Sequence, residues 1–469
     1  MMNIHSRVRR TAGLVAAATF LGGCDVKQEL LSPQQPGTLT PGDVASSGAA
    51  GAEALRIGAL GGLQQAFGGG NANNENVWML SGLLTDEWKS SDTFLQRNET
   101  DQRAIETNNS VWNLAYIQAH RARGYARDAL APLAASVADQ PGEQAEMWFI
   151  IGYAEMQLSQ IFCNGVPYSV TVNGVAQYQA GITNAEGFNL AITHLDSAIS
   201  LSGGTDSVAP RARQAALVAK AMALADLGKF SDAAALVPTS AVPTSFSYAM
   251  TFSQPTQSNE IWSLNASQSS ARYAVGDSFD IIAGKVNQIA NAIPFASAKD
   301  PRVPISGGSS DNVSKPGIDK ATPWVGGPWT ARTQALVVVS GVDARLIEAE
   351  AKLNAGDFSG MIDILNALRA AKPNLGPVTP AAMSPLVAPT TKDAAIDLFF
   401  REKAFWQFGR GQRISDLRRL VRQYGRTQDH VFPSGAFHKG GNYSPDVNAP
   451  VPDAEHSNPL FTGCIDRNA

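Results

Sequence analysis

The residue types that most often bind metals or perform catalysis are present in this chain, but not at the spacings that those chemistries need. None of the six histidines has a partner at helical metal-ligand spacing, and there is no Cys-x-x-Cys motif. The Gly-x-Ser-x-Gly turn of many hydrolases and the phosphate-binding glycine loop are absent. Asp86 beside Glu87, or Glu348 near Glu350, could serve a glycosidase, but adjacent acids are more often solvated. The sequence therefore favours a binding protein, with no metal and no cofactor, over an enzyme.

Aromatic residues in irregular segments are the best candidates for contact with a ligand. Aromatic rings stack on the apolar faces of sugar rings, and neighbouring polar side chains form hydrogen bonds with hydroxyl groups. The candidates of this kind are Trp88, Phe94, Asn98, Trp262, Tyr273, Trp324 and Trp329. The alternative is that each ring packs over the scaffold or against a partner protein, and the sequence does not decide between the two.

The N-terminus has the features of an exported protein. Three arginines within the first ten residues precede the short apolar run 12–21, and a Leu-Gly-Gly-Cys tetrapeptide that ends at Cys24 closes it. This tetrapeptide resembles the bacterial lipobox, in which cleavage before the cysteine is accompanied by acylation. We therefore expect a signal peptide at 1–23 and a lipidated Cys24 that anchors the protein to a membrane. An ordinary secretory signal that contains a cysteine is the alternative.

If Cys24 carries lipid, Cys163 and Cys464 remain as an even pair in a compartment where disulfides persist. We expect the two to be bonded, which would join the C-terminus to the first half of the chain. Two buried free thiols are the alternative, because the sequence does not give the distance between their Cα atoms.

The composition is that of a folded protein with a mostly helical pattern. The chain has 469 residues, of which 44% are hydrophobic, and this excludes intrinsic disorder. A formal net charge of −4, without clusters of basic and aromatic residues, argues against a nucleic-acid partner. No apolar run reaches the roughly 18 residues that a membrane-spanning helix needs. Apolar residues at three- and four-residue spacing predict helices over 52–67, 105–135, 143–162, 187–201, 210–227, 342–355, 360–370 and 392–424.

The pattern along the chain indicates a tether followed by one large helical unit. Residues 24–51 are rich in Pro, Gly, Ser and Thr, which predicts a flexible tether. Residues 52–469 then form a single domain, and irregular insertions interrupt its helices. These insertions lie at about 71–101, 163–184 and 238–333, and the first half of the second is predicted to contain a hairpin over 168–175.

A repeated turn suggests that the helices are arranged in pairs. Gly228 and Gly356 each follow an alanine-rich helix and each precede a phenylalanine by two positions. A glycine in this place allows a left-handed cap, and the phenylalanine can fill the gap between two antiparallel helices. The pattern predicts tetratricopeptide-like helical hairpins. Any antiparallel helix pair can use Gly and Phe at its turn, and this is the alternative.

Two motifs, together with the lipobox and the tether, resemble the SusD/RagB family of outer-membrane nutrient-binding lipoproteins. Residues 343–353 are similar to the family's R-x-x-E-A-E-A helix through Arg345, Glu348 and Glu350, and an L-N-x-x-R motif follows at 365–369. Near the C-terminus a second set of residues matches the family's E-R-x-x-E-L-x-x-E-G-x-R-x-x-D-L-x-R pattern. The charged members of this set are Glu402, Arg413, Asp416 and Arg419, while Trp406 and Arg410 replace two of the family's glutamates.

The second motif also has an interpretation that rests on helical geometry alone. On one continuous helix, Glu402, Trp406, Arg410 and Arg413 would form a stripe, and Asp416 would lie one turn beyond. We expect Arg413 to pair with Asp416 and the network to hold the last helix against the earlier repeats. A clamp for phosphate or carboxylate is the alternative.

The family resemblance implies both a fold and a function. The fold is mostly α, with tetratricopeptide-like hairpins in a right-handed superhelical scaffold, long irregular loops and a few short β-hairpins. The function is the capture of a nutrient, most often an oligosaccharide, at the cell-surface side of the outer membrane and its delivery to a SusC-like TonB-dependent transporter. The alternative is a tetratricopeptide-type envelope scaffold that binds proteins or peptides.

Overall fold

The structure is a computed structural model that describes residues 41–70, 75–172, 175–253, 255–266, 271–282, 285–307 and 317–469. The predicted signal peptide, the lipidation residue Cys24 and most of the predicted tether lie outside the described residues. Within the described ranges, no helix combines the length and the apolar character that crossing a membrane requires.

Helices form the framework of the described chain, and the mostly α fold predicted from the sequence is confirmed. In chain order they are α1 (Pro41–Gly68), α2 (Val77–Leu83), α3 (Leu95–Asp101), α4 (Ser110–Ser136), α5 (Pro141–Ile161), α6 (Asn184–Leu201), α7 (Ala209–Asp226), α8 (Phe230–Leu236), α9 (Gly341–Asn354), α10 (Phe358–Ala371), α11 (Lys392–Trp406) and α12 (Arg413–Arg422). Short turns of other helix types lie at Trp262–Ala266, Gln428–His430 and Asp453–Ser457.

The strands are short and pair two by two in antiparallel fashion. They are β1 (Trp88–Ser90), β2 (Val166–Pro167), β3 (Val170–Val172), β4 (Val175–Gln177), β5 (Gly181–Ile182), β6 (Ser247–Met250), β7 (Tyr273–Val275), β8 (Phe279–Ile282), β9 (Lys285–Gln288), β10 (Ser306–Gly307), β11 (Val325–Gly326) and β12 (Leu336–Ser340). The pairs are β1 with β7, β2 with β5, β3 with β4, β6 with β12, β8 with β9 and β10 with β11. The strands β3 and β4 are the hairpin predicted over 168–175.

The long helices pack in series. Helix α1 lies on α4, α4 on α5, α5 on α6 and α6 on α7, and further along the chain α8 lies on α9 and α9 on α10. On α4 the buried positions Ala115, Ala119, Ala122 and Ala126 recur every three or four residues. Because alanine adds little bulk, neighbouring helices can approach closely along this stripe. The result is the stack of helical hairpins that the fold prediction describes.

Both predicted hairpin turns form at the repeated glycines. Gly228 lies between α7 and α8, and Gly356 lies between α9 and α10; both have a φ of 76°. This left-handed conformation strains residues with a Cβ atom, which explains why glycine occurs at both turns. Phe230 and Phe358 begin the second helix of each pair.

The prediction of a single helix over 392–424 is wrong. Helix α11 ends at Trp406 and α12 begins at Arg413. Between them, Gly409 and Gly411 take left-handed φ angles of 71° and 69°, which end helical geometry. The predicted stripe of side chains on one continuous face therefore does not exist.

Helix α1 begins at Pro41 rather than at residue 52, so the end of the predicted tether is helical. The helix contains a break at Gly48, which has a φ of 54°. The alanine-rich run 49–54 has a high helix propensity and continues directly into the predicted helix.

The extreme C-terminus returns to the end of α5. A disulfide joins Cys163 to Cys464, with Cα atoms 6.0 Å apart. Nearby, the guanidinium group of Arg418 donates hydrogen bonds to the carbonyl oxygens of Gln160 and Phe162, at 2.7 and 3.0 Å. The last residues of the chain are thus fixed to the first half of the protein.

Candidate ligand-binding site

Four of the aromatic rings predicted to contact a ligand lie in the core instead. Trp88, Tyr273, Trp324 and Trp329 are all at least 95% buried. Pairing of β1 with β7 places Trp88 opposite Val275, on the inside of the structure. The expectation that these rings stack on a ligand is therefore corrected: pairing of β1 with β7 turns Trp88 and Tyr273 inward, and Trp324 and Trp329, which flank β11, are buried in the same way.

These inward rings pack on one another and on the turn after α11. The centroid of the Trp88 ring lies 4.9 Å from that of Phe408 and 6.4 Å from that of Trp329. Trp324 donates a hydrogen bond from Nε1 to the carbonyl oxygen of Asn265 at 2.5 Å, and the Asn265 side chain accepts one from the backbone of Gly327. Asn265 thus holds the loop that positions the tryptophans, a role that its sequence context does not indicate.

The other three predicted residues lie nearer the surface but do not form one site. Phe94 is 42% exposed, and the guanidinium group of Arg97 lies 5.2 Å from its ring centroid. Asn98 accepts a hydrogen bond from the Ser90 hydroxyl at 2.7 Å, so its amide oxygen is already engaged. Trp262 is half-buried, and the guanidinium group of Arg332 lies over its ring.

The charged residues of the two sequence motifs form ion pairs, some within one helix and some between distant elements. Arg345 pairs with Glu348 within α9, and Glu350 pairs with Arg419 of α12. The charges of Arg419 and Lys403 hold the pKa of Glu350 below its usual value, although burial opposes ionisation. The contacts of Glu350 with Lys403 of α11 and Arg419 of α12 fasten α9 to these two helices.

The predicted pair of Arg413 with Asp416 is not the one that forms. Arg413 donates from Nε and Nη2 to the two carboxylate oxygens of Asp86, at 2.7 and 2.9 Å. Asp416 instead accepts a hydrogen bond from the Lys403 ammonium at 2.6 Å. The break before α12 turns Arg413 towards the loop after α2, which a continuous helix would not do.

Glu402 completes the network. It accepts hydrogen bonds from Arg302 at 2.7 Å and from Arg369 at 2.8 Å. Because the motif carboxylates are bound to arginine or lysine within the protein, the arrangement works as a structural network rather than as a clamp for an external anion.

An open cleft of about 360 Å³ lies elsewhere, between α4, β3 and the turn Asp453–Ser457, and we call it the α4 cleft. Its lining residues are Tyr116, Ile117, His120, Arg121, Arg123, Gly124, Tyr125, Arg127, Asp128, Ser169, Val170, Thr171, Ala454 and Glu455. The members on α4 recur at helical spacing, so one face of this helix forms the long wall. The volume lies within the range of small-molecule sites, about 300 to 1,000 Å³.

The inner end of the α4 cleft is built from hydrogen-bonded side chains. Tyr116 donates its hydroxyl proton to Glu455 at 2.8 Å, and its ring centroid lies 4.5 Å from that of His120. His120 Nδ1 lies 3.1 Å from Nη1 of Arg123, which can only donate, so Nδ1 is the acceptor and Nε2 carries the proton. Burial, with the nearby charge of Arg123, holds the pKa of His120 far below its usual value. His120 is therefore a neutral donor.

That donor lacks a hydrogen-bond partner in the part of the chain that the structure describes. His120 Nε2 is buried and forms no hydrogen bond with any described residue. Arg123, by contrast, is bonded to Glu155 of α5 at 3.0 Å. An N–H group that is removed from water without a partner is unfavourable, so a bound ligand or solvent would satisfy it.

The outer end of the α4 cleft offers an aromatic surface and an open floor. Tyr125 is 43% exposed, and its ring lies over Gly62 of α1, where a Cβ atom would come within 2.8 Å of it. A Cβ atom at Gly124 would meet no atom within 4 Å, so the floor is open there. An exposed ring beside open space and polar groups is the arrangement that stacking on a sugar needs.

A larger cleft of about 640 Å³ lies between β6, β12 and the end of α10. Its walls include the hydroxyl residues Thr244, Ser245 and Ser247, and Lys372 at the end of α10. Phe246 is its one aromatic residue, and it is half-buried. The α4 cleft combines aromatic, cationic and anionic side chains more closely, so we take it as the candidate site.

In the part of the chain that the structure describes, no group of His, Cys, Asp and Glu side chains could hold a metal ion.

Comparisons with known proteins bear on the fold. No protein-family model matches the chain, and none of the curated proteins matches it. A SusD superfamily protein from Parabacteroides distasonis matches with a TM-score of 0.58 and 16% identity, over 91% of this chain and 99% of that one. A SusD superfamily protein from Bacteroides vulgatus matches with a TM-score of 0.56 and 15% identity, over 89% and 98%.

A SusD-like carbohydrate binding protein from Bacteroides vulgatus matches with a TM-score of 0.50 and 14% identity, over 78% of this chain and 82% of that one. Identities this low show a common fold. The resemblance to SusD/RagB proteins that the sequence motifs indicate is thereby confirmed as a likeness of architecture, and the chain has the SusD-like fold.

Proposed function

We propose that this protein is a saccharide-binding lipoprotein of the SusD type. It captures an oligosaccharide at the cell surface and delivers it to a SusC-like TonB-dependent transporter. The observation that carries the proposal is the SusD-like fold, which extends over nearly the whole length of the matched proteins. One protein of this fold is named as carbohydrate binding, which supports the ligand class.

The α4 cleft supplies the groups that a saccharide site needs. Tyr125 offers an exposed ring for stacking, and His120 and Arg127 offer donors. The Asp128 carboxylate can accept hydrogen bonds from sugar hydroxyls, and the Ser169 hydroxyl, which already accepts one from the backbone of Gln179, can donate its proton. Sugars present both donors and acceptors around an apolar ring face, so this mixture suits them.

The expected export signal and lipobox support a location in the cell envelope. Cys24 would carry the lipid anchor on the outer membrane, with the folded domain towards the cell surface. The step that the protein performs is binding and release, and no covalent chemistry is part of it.

The test is a thermal-shift screen of the full chain in detergent micelles against panels of oligosaccharides and peptides. A ligand at 100 times its Kd stabilises the folded state by about 2.7 kcal/mol, which a melting curve detects. The proposal expects a shift with at least one oligosaccharide. Shifts with peptides alone, or co-purification with an envelope protein and no saccharide shift, would favour the scaffold function instead.

Two glycine variants locate the site. Gly124→Leu would project a side chain into the open floor of the α4 cleft, and its Cβ would meet no atom within 4 Å. Gly58→Leu is the matched control on α1, where the Cβ position is equally open but lies outside the cleft. Both changes favour the helix, so both variants should fold. The saccharide shift should disappear in the first variant and persist in the second.

A further inference from the structure

We infer that the α4 cleft prefers an acidic saccharide, one that carries a carboxylate on its sugar ring, to a neutral one. The inference rests on the proposed function and adds the chemical class of the ligand. It comes from the balance of free donors and acceptors in the cleft.

Two arginines of the cleft form no hydrogen bond and no ion pair in the part of the chain that the structure describes. They are Arg121, which is exposed, and Arg127, which is half-buried; the charges of Glu155 and Asp128 act on Arg127, but neither carboxylate bonds to it. Arg123 differs from these two arginines because its guanidinium group is bound to Glu155. A guanidinium group carries five donors in a planar fork, and a carboxylate matches two of them at once. Unpaired guanidinium groups at a cleft wall therefore favour a carboxylate ligand.

The acceptors of the cleft are fewer and partly used. Glu455 already accepts hydrogen bonds from Tyr116, at 2.8 Å, and from Asn458, at 3.3 Å. Asp128 is the other carboxylate that faces the cleft, and it accepts no hydrogen bond from a described residue. Against these stand the free donors of Arg121, Arg127 and His120 Nε2. The cleft thus has more donor than acceptor capacity.

The spacing along α4 suits a sugar with one charged substituent. Arg121 and Arg127 lie six positions apart, about 9 Å along the helix axis at 1.5 Å per residue. Gly124 lies between them and leaves the wall open, while the Tyr125 ring lies beside it. A sugar ring over this gap would reach the ring of Tyr125 with one face and a guanidinium fork with its carboxylate.

The test is calorimetric titration of the full chain in detergent micelles with matched pairs of ligands. The probes are oligomers of galacturonate, alginate and unsulfated hyaluronan, each compared with its own methyl ester, which removes the charge and keeps the rings. At least one acid should bind tenfold or more tightly than its ester. In the double variant Arg121→Gln/Arg127→Gln this preference should fall to twofold or less, whereas Arg401→Gln, which changes an exposed arginine of α11, should preserve it.

The results separate the failure of this inference from that of the proposed function. If neutral saccharides bind as tightly as acidic ones and Gly124→Leu abolishes their binding, the proposed function stands and the acidic preference is wrong. If the acidic preference survives the double variant, the assignment of the two arginines is wrong. If no saccharide of either class binds, the proposed function fails and this inference fails with it.

Discussion

The buried pair between Asp86 and Arg413 should be one of the most sensitive points of the fold. The Asp86 carboxylate accepts two hydrogen bonds from Arg413, at 2.7 and 2.9 Å, and one from the backbone of Ile293 at 2.8 Å. Both side chains are almost fully buried. Asp86→Ala would leave the guanidinium charge of α12 in the core without its main partner. Removal of one member of a buried pair lowers the free energy of unfolding by about 3–5 kcal/mol.

A neighbouring carboxyl group should place the loss towards the lower end of that range. Burial raises the pKa of Glu87 to about 8, and the charge of Asp86 contributes to the same shift. When Asp86 is removed, Glu87 can ionise more readily and compensate part of the Arg413 charge. We therefore expect a loss of about 3 kcal/mol for Asp86→Ala at neutral pH.

The assay is urea denaturation followed by tryptophan fluorescence, because Trp88 lies beside the pair in sequence and is buried. The matched control is Asp196→Ala, which breaks a pair with Lys220 on the surface and should cost less than about 1 kcal/mol. The double variant Asp86→Leu/Arg413→Met replaces both charges with apolar groups and should recover part of the loss, because the Ile293 N–H still lacks the acceptor that Asp86 provides. A loss below about 1 kcal/mol for Asp86→Ala would refute the reasoning, as would a double variant no more stable than the single one.

Three further changes have expected outcomes. Joint replacement of Cys163 and Cys464 by alanine opens a link that spans 301 positions and should lower the free energy of unfolding by about 2–4 kcal/mol relative to the oxidised native chain, as measured by urea denaturation. The reduced native chain is the control, and its stability should match that of the variant. Glu87 holds in the folded state a proton that the unfolded chain releases, so the free energy of unfolding should fall as pH rises from about 5 to 8. Glu87→Gln should make this pH dependence shallower by up to about 1.4 kcal/mol per pH unit. An unchanged pH dependence in urea denaturation at a series of pH values would contradict the raised pKa of Glu87. Gly409→Ala places a Cβ 2.7 Å from an indole ring, whereas Gly356→Ala meets nothing within 4 Å. Both variants carry left-handed strain of about 1–2 kcal/mol, but Gly409→Ala adds about 1–3 kcal/mol of overpacking, so it should unfold at a clearly lower urea concentration than Gly356→Ala.

The helical framework could be predicted from the sequence because its signals are local. Apolar residues at helical spacing give α5 and α7, and a glycine two positions before a phenylalanine gives the turns at Gly228 and Gly356. The break before α12 was also marked by two glycines, but the apolar spacing continues across it and suggests one helix. What requires glycine at position 411 is tertiary: a Cβ there would come within 2.3 Å of the Trp78 ring.

The burial of the loop tryptophans could not be predicted, because it depends on pairing between distant segments. Trp88 turns inward only when β1 pairs with β7, which lies some 180 residues later, at Tyr273–Val275. Isolated loop tryptophans look alike in sequence whether they face a ligand or the core. Their positions therefore identified a region of the fold and not a binding surface.

The α4 cleft could not be predicted from the sequence for a similar reason. Its walls come from three segments, 116–128, 169–171 and 454–455, which are far apart in the chain. The polar face of α4 reads as an ordinary solvated helix surface. The available signal was the combination of Tyr, His, Arg and Gly on that single face, which becomes meaningful only when the other two segments close over it.

The central claim is that the α4 cleft binds a saccharide, and a crystal structure of the protein soaked with the tightest-binding oligosaccharide tests it most directly. The account predicts a sugar ring over Tyr125, with its polar groups within hydrogen-bond distance of His120 Nε2 and Arg127. A saccharide bound instead at Phe94, at Trp262 or in the cleft between β6 and β12, with the α4 cleft empty, would contradict it.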